Sequence, residues 1–303
     1  MNPPIAMFLE NFGLSRDPFL DTADPAFFYD TMPGAHGRRR LVECLGSGRG
    51  LAVVVGAIGA GKTTLFNAAA SELYADERNL VGLILDPTFA SEAELLTTIA
   101  DCFGFEFDPD ASLRDMKESL KRSLFDAASH KQPILLIDEA QLLPESMLET
   151  LRSLLNYQLD ERKLLAIALS GQLELADAIL RRPNFSDRVA FWLELAPLRE
   201  SESTGLIEHR LRQAGYAGGR SPFDDDALHV LWLQSKGVPR RLITLAREAL
   251  EVAAERSQRA VTLADVDAAQ ARVVPASTSH VSVAPRTTAM ATPPWWQWWR
   301  RAS

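Results

Sequence analysis

The fold is decided by one stretch of eight residues, Gly56-Ala57-Ile58-Gly59-Ala60-Gly61-Lys62-Thr63. It matches the pattern G-x-x-x-x-G-K-[ST], follows the apolar run 51–55 and leads into a helical segment over 62–75. Glycines let backbone N–H groups converge on a polyphosphate, and the positive end of the helix dipole points at the same anion. The stretch therefore predicts a phosphate-binding loop between a strand and a helix.

Two side chains of this loop suggest direct roles in binding ATP. Lys62 is expected to reach the β- and γ-phosphates, and Thr63 is expected to hold Mg²⁺ through its hydroxyl. The other loop residues and Thr64 are expected to surround the phosphates with backbone N–H groups. ATP and Mg²⁺ are therefore the cofactors that the stretch predicts.

A second motif closes the apolar run 133–137 with two carboxylates, Asp138 and Glu139. Such a run is typical of a buried parallel strand, whose carboxyl end opens at the ligand crevice. Asp138 is expected to hold Mg²⁺, directly or through water, and Glu139 to orient and polarise the attacking water. The alternative is an acidic start to the next helix, but the phosphate loop upstream favours the catalytic interpretation.

Polar residues follow a further apolar run at 164–169. Ser170 is the first candidate for a group between the carboxylates and the γ-phosphate, and Gln172 is the second. A turn that only caps the next helix is the alternative. Farther on, arginines cluster over 181–188. They form either a solvated face or a source of positive charge for a phosphoryl group bound by a neighbouring subunit.

Apolar runs of strand length alternate with helical segments as far as Pro197, which is typical of βαβ units and a mostly parallel sheet. Beyond Pro197 only helical patterns occur, at 202–214, 225–235, 239–255 and 263–272. They predict a small all-helical domain after an α/β core. One arginine of the pair 240–241, at the start of its third helix, is placed to turn back to the nucleotide.

The expected division of the chain is into four parts. These are an N-terminal aromatic and proline-rich segment (1–45), a P-loop core (46–198), a helical lid (199–272) and a tail (273–303). For the first part, an ordered segment packed on the core and a wall against the adenine base are the alternatives, because base planes stack on aromatic groups. Its pattern becomes helical only over 38–45.

The amino-acid composition limits the binding partners and the cellular location that can be expected for this chain. The 303 residues carry a net charge of −8, which argues against nucleic acid as an overall electrostatic partner but leaves room for a local basic patch. Neither of the two cysteines has metal-ligand spacing. Because the N-terminus lacks a basic and apolar leader and no apolar run reaches about 18 residues, a cytoplasmic location is expected.

The tail ends in four tryptophans and two arginines, Trp295, Trp296, Trp298, Trp299, Arg300 and Arg301. This composition is typical of an interfacial anchor, and a peptide that docks in a protein groove is the alternative. Exposed tryptophans favour a partner over a passive tail. A membrane surface or a protein is therefore the expected partner, with a peripheral position at the inner membrane.

An ordered set of motifs runs through most of the chain: residues 8–14 with 18–19, the phosphate loop, and residues 138–141, 170–173 and 237–240. This set resembles the AAA+ ATPases typified by general secretion pathway protein A and its relatives in pilus biogenesis. These relatives share features with transposition ATPases. The resemblance implies an α/β P-loop NTPase fold, with a parallel sheet flanked by helices and followed by a helical lid, in a ring-forming ATPase.

The resemblance also implies a role for each motif. The phosphate loop would be the Walker A motif, and the carboxylate pair would be the Walker B motif. Ser170 or Gln172 would be the first sensor of the γ-phosphate, and Arg240 would be the second. Arg188 would be the arginine finger that acts on the ATP of the next subunit.

Two functional hypotheses follow. In the first, the chain is an oligomeric ATPase, in a ring or a filament, whose nucleotide state changes its shape during the assembly of an envelope secretion or pilus apparatus. In the alternative, it is a DNA-bound ATPase of the transposition type, for which residues 38–40 and 181–182 are the obvious basic material. A nucleotide-binding scaffold without hydrolysis is disfavoured because both carboxylates are present.

Overall fold

A computed structural model describes residues 3–20, 27, 29–106, 108, 110–159 and 162–273. Its strands are β1 (Leu51–Gly56), β2 (Asn79–Ile84), β3 (Gln132–Ile137), β4 (Gln158–Leu159), β5 (Arg162–Lys163), β6 (Ala166–Gly171) and β7 (Val189–Leu195). Five of them form a parallel sheet in the order β2-β3-β6-β1-β7, and β4 and β5 form a short antiparallel hairpin. Every residue of β1, β3 and β6 is buried, which explains why the sequence shows continuous apolar runs there.

The described part of the chain contains the following α-helices: α1 (Pro3–Phe12), α2 (Met32–Gly46), α3 (Lys62–Ala75), α4 (Glu92–Phe103), α5 (Leu113–His130), α6 (Glu145–Leu154), α7 (Leu173–Leu180), α8 (Pro183–Ser186), α9 (Glu200–Gln213), α10 (Asp225–Ser235), α11 (Pro239–Glu255) and α12 (Leu263–Val273). Helices α2 and α3 pack on one face of the sheet. Helices α4 to α7 pack on the other face. The predicted α/β P-loop fold, with a parallel sheet between helices and a helical region after it, is confirmed.

Several elements begin and end where the sequence predicts. Helices α3, α10 and α11 have the predicted bounds. Helix α2 begins earlier than the predicted residue 38, because the Thr31 hydroxyl accepts a hydrogen bond from the Gly34 amide and Pro33 is compatible with a first turn. The sequence pattern did not indicate β7, whose mixed burial is expected for a strand at the edge of the sheet.

The part of the N-terminal segment that precedes α2 contributes to the core of the C-terminal helical region, α9 to α12. Phe8, Phe12, Phe19 and Phe27 are buried in one cluster with side chains of α9 to α12. The buried Asp17 carboxylate accepts a hydrogen bond from Arg247 Nε on α11 at 2.8 Å. This part of the segment is thus attached to the C-terminal helices by apolar packing and by an ion pair.

None of the described helices is long and apolar enough to cross a bilayer. The tryptophan-rich anchor predicted within the tail lies outside the described residues, which end at Val273.

Candidate nucleotide site

A cavity of about 470 Å³ opens at the carboxyl ends of the strands, around the phosphate loop. Its wall combines residues 58–65 of the loop and α3 with residues 193–199, at the end of β7 and just after it. Phe27 and Tyr29 of the N-terminal segment line it, as do residues of α9 and α11. Its volume falls in the range of about 300–1,000 Å³ that small-molecule sites occupy. The sheet, the N-terminal segment and the lid therefore all contribute to one ligand-sized cavity.

The phosphate loop has the backbone of an anion cradle. Gly59 and Gly61 have φ of +79° and +94°, a conformation that residues with a Cβ rarely adopt. The buried Lys62 ammonium donates to the Gly56 and Ala57 carbonyls at 3.0 and 3.1 Å. Its pKa is lowered by burial, and the nearby carboxylates of Glu139 and Asp138 act in the opposite direction. The loop thus holds a cation where a polyphosphate needs one.

The residues predicted to hold Mg²⁺ lie together. The Thr63 hydroxyl donates to Asp138 Oδ2 at 2.6 Å, and Asp138 Oδ1 accepts from the Glu139 amide at 2.9 Å. A hydroxyl beside a buried carboxylate at the edge of a phosphate loop supplies the hard oxygen ligands that Mg²⁺ takes, with phosphates completing the set. This pair of side chains therefore fits the ion.

Glu139 lies at the start of a sharp turn and lines the cavity. Its φ of +49° is unusual for a residue with a side chain, and a 3₁₀ turn over Ala140–Leu142 follows directly. Glu139 Oε2 accepts a hydrogen bond from Gln141 Nε2 at 2.5 Å. Backbone strain of this kind is concentrated at functional sites.

The two candidates for the first γ-phosphate sensor occupy different environments. Ser170 is fully buried within β6, where its hydroxyl has no hydrogen-bond partner among the described residues. Leu169 pairs with Ile137, so Ser170 follows at the level of Asp138. Gln172 lines the cavity at the start of α7. The structure thus brings Gln172 to the cavity and buries Ser170 within β6, at the level of Asp138 on the neighbouring strand.

Arg240 lines the nucleotide cavity, whereas Arg188 does not. The Arg240 amide donates to the Gly59 carbonyl at 3.2 Å, so the first turn of α11 contacts the phosphate loop directly. Arg188 lines a second cavity, of about 480 Å³, together with Arg49, Arg152 and Lys163. That cavity lies where β1 and β7 begin, about 20 Å from their carboxyl ends at ~3.3 Å per residue.

Sequence reasoning missed part of the cavity wall. The segment after β7, at residues 196–199, and Arg210 of α9 line the cavity and were not candidates. The signal was the apolar run before Pro197: a strand that pairs in parallel with β1 must end beside the phosphate loop, as the pairing of Leu195 with Gly56 shows. In the sequence Gln141 carries no signal beyond its place in the motif 138–141, because its contact with Glu139 depends on a turn that the pattern does not reveal.

Residues 44–179 match the family described as AAA domain. The fold is similar to that of Aeropyrum pernix ORC2 in its ADPNP–ADP complexes, at 19% identity over 82% of this chain and 71% of that one, with a TM-score of 0.56. It is also similar to A. pernix ORC1 in complex with DNA, at 21% identity over 81% and 66% of the two chains, with a TM-score of 0.59. Fold, cavity and sequence match together identify an AAA+ P-loop protein.

Within this class the chain is related to general secretion pathway protein A from Aeromonas hydrophila. The two are 31% identical over 267 residues, which make up 87% of this chain and 48% of that protein. The chain therefore spans about half the length of this relative. The resemblance that the motifs indicated is confirmed.

Proposed function

We propose that this chain is an oligomeric ATPase that binds ATP with Mg²⁺ and hydrolyses it to drive a change of shape. The observation that carries the proposal is the meeting of Lys62, the Thr63–Asp138 pair and Glu139 at one cavity of nucleotide size. The ADPNP–ADP complexes of the ORC2 neighbour support ATP as the ligand.

In this proposal the phosphate loop and the lid bind the nucleotide together. Backbone N–H groups of the loop and the Lys62 ammonium hold the β- and γ-phosphates. Thr63 and Asp138 would hold Mg²⁺, which neutralises phosphate charge when bound. Arg240 extends from the lid towards the same phosphates, so the position of α11 depends on the nucleotide state. Phe27 and Tyr29 form the wall for the base.

Hydrolysis then requires a water molecule held in line with the γ-phosphate. Glu139 orients this water and accepts its proton while the water oxygen attacks phosphorus and the bond to the ADP oxygen breaks. We assign the contact with the γ-phosphate to Gln172, since it lines the cavity. Ser170 is buried within β6 and is given no contact with the nucleotide in this proposal.

The position of Arg188 supports assembly of several copies. Its guanidinium forms no hydrogen bond or ion pair within the described ranges, and it lies in a cavity lined by three further basic side chains. Arg188 lies at the amino ends of the strands, whereas the nucleotide cavity lies at their carboxyl ends. It therefore cannot contact the nucleotide of its own subunit. We propose that it acts on the nucleotide of a neighbouring copy in a ring or filament.

The pathway is proposed from the relative. Its name, general secretion pathway protein A, favours work on an envelope secretion or pilus apparatus. We propose a cytoplasmic protein that reaches the inner membrane or a protein partner through its tryptophan-rich tail. In the same scheme, residues 199–272 act as the lid of the P-loop core.

The testing experiment is steady-state ATP turnover measured against protein concentration, for the native chain and for Glu139→Gln. We expect turnover per subunit to rise with concentration, because sites are completed between subunits. We expect Glu139→Gln to bind ATP while its turnover falls by about 100-fold or more. Glu77→Gln, at an exposed position, is the matched control. Normal turnover by Glu139→Gln would remove the role assigned to Glu139.

DNA binding is the second candidate function, because a solved neighbour, A. pernix ORC1, is described in complex with DNA. The proposed basic material is partly engaged: Arg38 pairs with Asp30 and Glu72, and Arg182 pairs with Glu145. Turnover that appears only when duplex DNA is added, with binding that falls steeply as salt rises, would favour this candidate. Absence of binding at low salt would eliminate it.

A further inference from the structure

The side-chain amide of Gln141 joins two parts of the nucleotide site. Its Nε2 donates to Glu139 Oε2 at 2.5 Å, and its Oε1 accepts from the Gln172 backbone amide at 3.0 Å. Only this orientation of the amide satisfies both partners, since the reverse would place oxygen against a carboxylate and NH₂ against N–H. Gln141 therefore connects the carboxylate after β3 to the junction between β6 and α7.

This connection requires glycine, which has no side chain, at position 171, the last residue of β6. A Cβ at this position would lie 2.6 Å from Gln141 Oε1 and 2.8 Å from Leu175 Cδ2. Both distances are well inside ordinary contact, so any side chain here would displace the Gln141 amide or the Leu175 side chain. Gln141 and Gly171 thus form one fitted contact.

Glu139 is held from both ends by neighbours on its own turn. Its backbone N–H donates to Asp138 Oδ1 at 2.9 Å, and its carbonyl accepts from the Leu142 amide at 2.9 Å. Gln141 binds one carboxylate oxygen. Glu139 Oε1 accepts no hydrogen bond from the residues that the structure describes, so it is the oxygen available to a water molecule in the cavity.

We infer that Gln141 is a positioning residue for Glu139, an inference that rests on the proposed hydrolysis. Gln141 orients the carboxylate so that Oε2 accepts its hydrogen bond and Oε1 stays available to the attacking water. It also ties this orientation to Gln172, the residue that lines the cavity on the other side. A γ-phosphate that contacts Gln172 is therefore sensed at Glu139 through one amide group.

The variant Gln141→Leu tests the inference. We expect kcat to fall by about 10- to 100-fold, the usual effect of removing a group that orients a reacting one. The Kd for ATP should stay close to that of the native chain. Gly171→Ala keeps the glutamine at position 141 but displaces its side-chain amide. We expect it to lower kcat in the same way. The matched controls are Gln213→Leu, at an exposed position, and Gly219→Ala, where a Cβ meets nothing within 4 Å.

A double variant distinguishes positioning from a general structural role. In the Glu139→Gln background, Gln141→Leu should cause no further loss of residual turnover, because its effect passes through Glu139. Losses that multiply, or full turnover by Gln141→Leu alone, would overturn the inference.

Failure of the proposed hydrolysis itself would be visible as no turnover by the native chain. The hydrogen bond is then tested by Tm for Glu139→Ala, Gln141→Ala and the double variant. Non-additive shifts support the contact, and additive shifts overturn it.

Discussion

Lys62 shows how one residue in this site links proton binding to nucleotide binding. Burial lowers the pKa of its ammonium below the ordinary value of 10.5, although Glu139 and Asp138 partly offset the effect. Phosphates bound against the ammonium add negative charge and favour its protonated form. In the protein without nucleotide, the unfolded chain binds the Lys62 proton more tightly than the folded chain does. The contribution of Lys62 to folding stability therefore rises with pH between its lowered pKa in the folded chain and the ordinary value of 10.5.

We expect the affinity for ATP to change with pH in the opposite direction. As pH rises through the lowered pKa of Lys62, the ammonium becomes neutral and loses its attraction for the phosphates, so Kd should increase before pH 10.5. Titration with a fluorescent ATP analogue from neutral pH upward measures this. The exposed Lys131 offers a control, since Lys131→Gln should keep the same profile. A Kd that stays constant up to pH 10.5 would contradict the assignment of the cation.

At the scale of elements, the phosphate loop and α11 act as one unit. The Arg240 amide binds the Gly59 carbonyl, and a Cβ on Gly59 would lie 2.8 Å from the Arg240 Cβ. The close approach of loop and lid therefore requires glycine at position 59 for space as well as for its φ of +79°. The loop and the first turn of α11 are therefore in direct contact.

Gly59→Ala should destabilise the protein by about 1–3 kcal/mol and weaken ATP binding, because both the backbone conformation and the contact with Arg240 are disturbed. Thermal unfolding with and without ATP measures the two effects. Gly219→Ala, at a glycine without positive φ and with open space around it, should stay within about 0.5 kcal/mol of the native chain. Equal Tm values for the two variants would show that loop and lid do not meet as described.

At the scale of the whole molecule, the two cavities lie at opposite ends of the strands of one sheet. The nucleotide cavity is at the carboxyl ends of the strands, and the basic cavity around Arg188 is where β1 and β7 begin. Such a separation suits a head-to-tail contact, in which each copy completes the site of the next. The positions of the two cavities therefore support the proposed assembly.

Mixing two inactive variants tests this arrangement. Arg188→Ala and Lys62→Ala should each lose turnover, and a mixture should recover part of it, because one copy keeps an intact loop and its neighbour an intact arginine. Steady-state turnover over a range of mixing ratios measures the recovery. The control is Arg181→Ala, an exposed arginine outside both cavities, which should remain active alone. Absence of recovery at every ratio would count against a role for Arg188 between subunits.

The sequence by itself determined the features that depend on local chemistry. The loop that ends in Lys62 and Thr63 needs glycines and a following helix, and the strand before Asp138 needs a continuous apolar run, so both can be read from consecutive residues. The lid helices are also local, since apolar spacing and residues such as Asp224, which caps α10 through its side chain, mark them. These features suffice for the P-loop fold and for its helical region.

Only the tertiary structure decided which of the candidates meet. It brought Gln172 to the cavity and buried Ser170, because Ser170 lies inside the buried strand β6, which ends at Gly171, whereas Gln172 follows it at the start of α7. It placed Arg188 at the far edge of the sheet, and it joined Gln141 to Glu139 through a turn with positive φ. The physical reason is common to all three: strand register and loop geometry determine distances between residues far apart in the chain, and no local pattern encodes them.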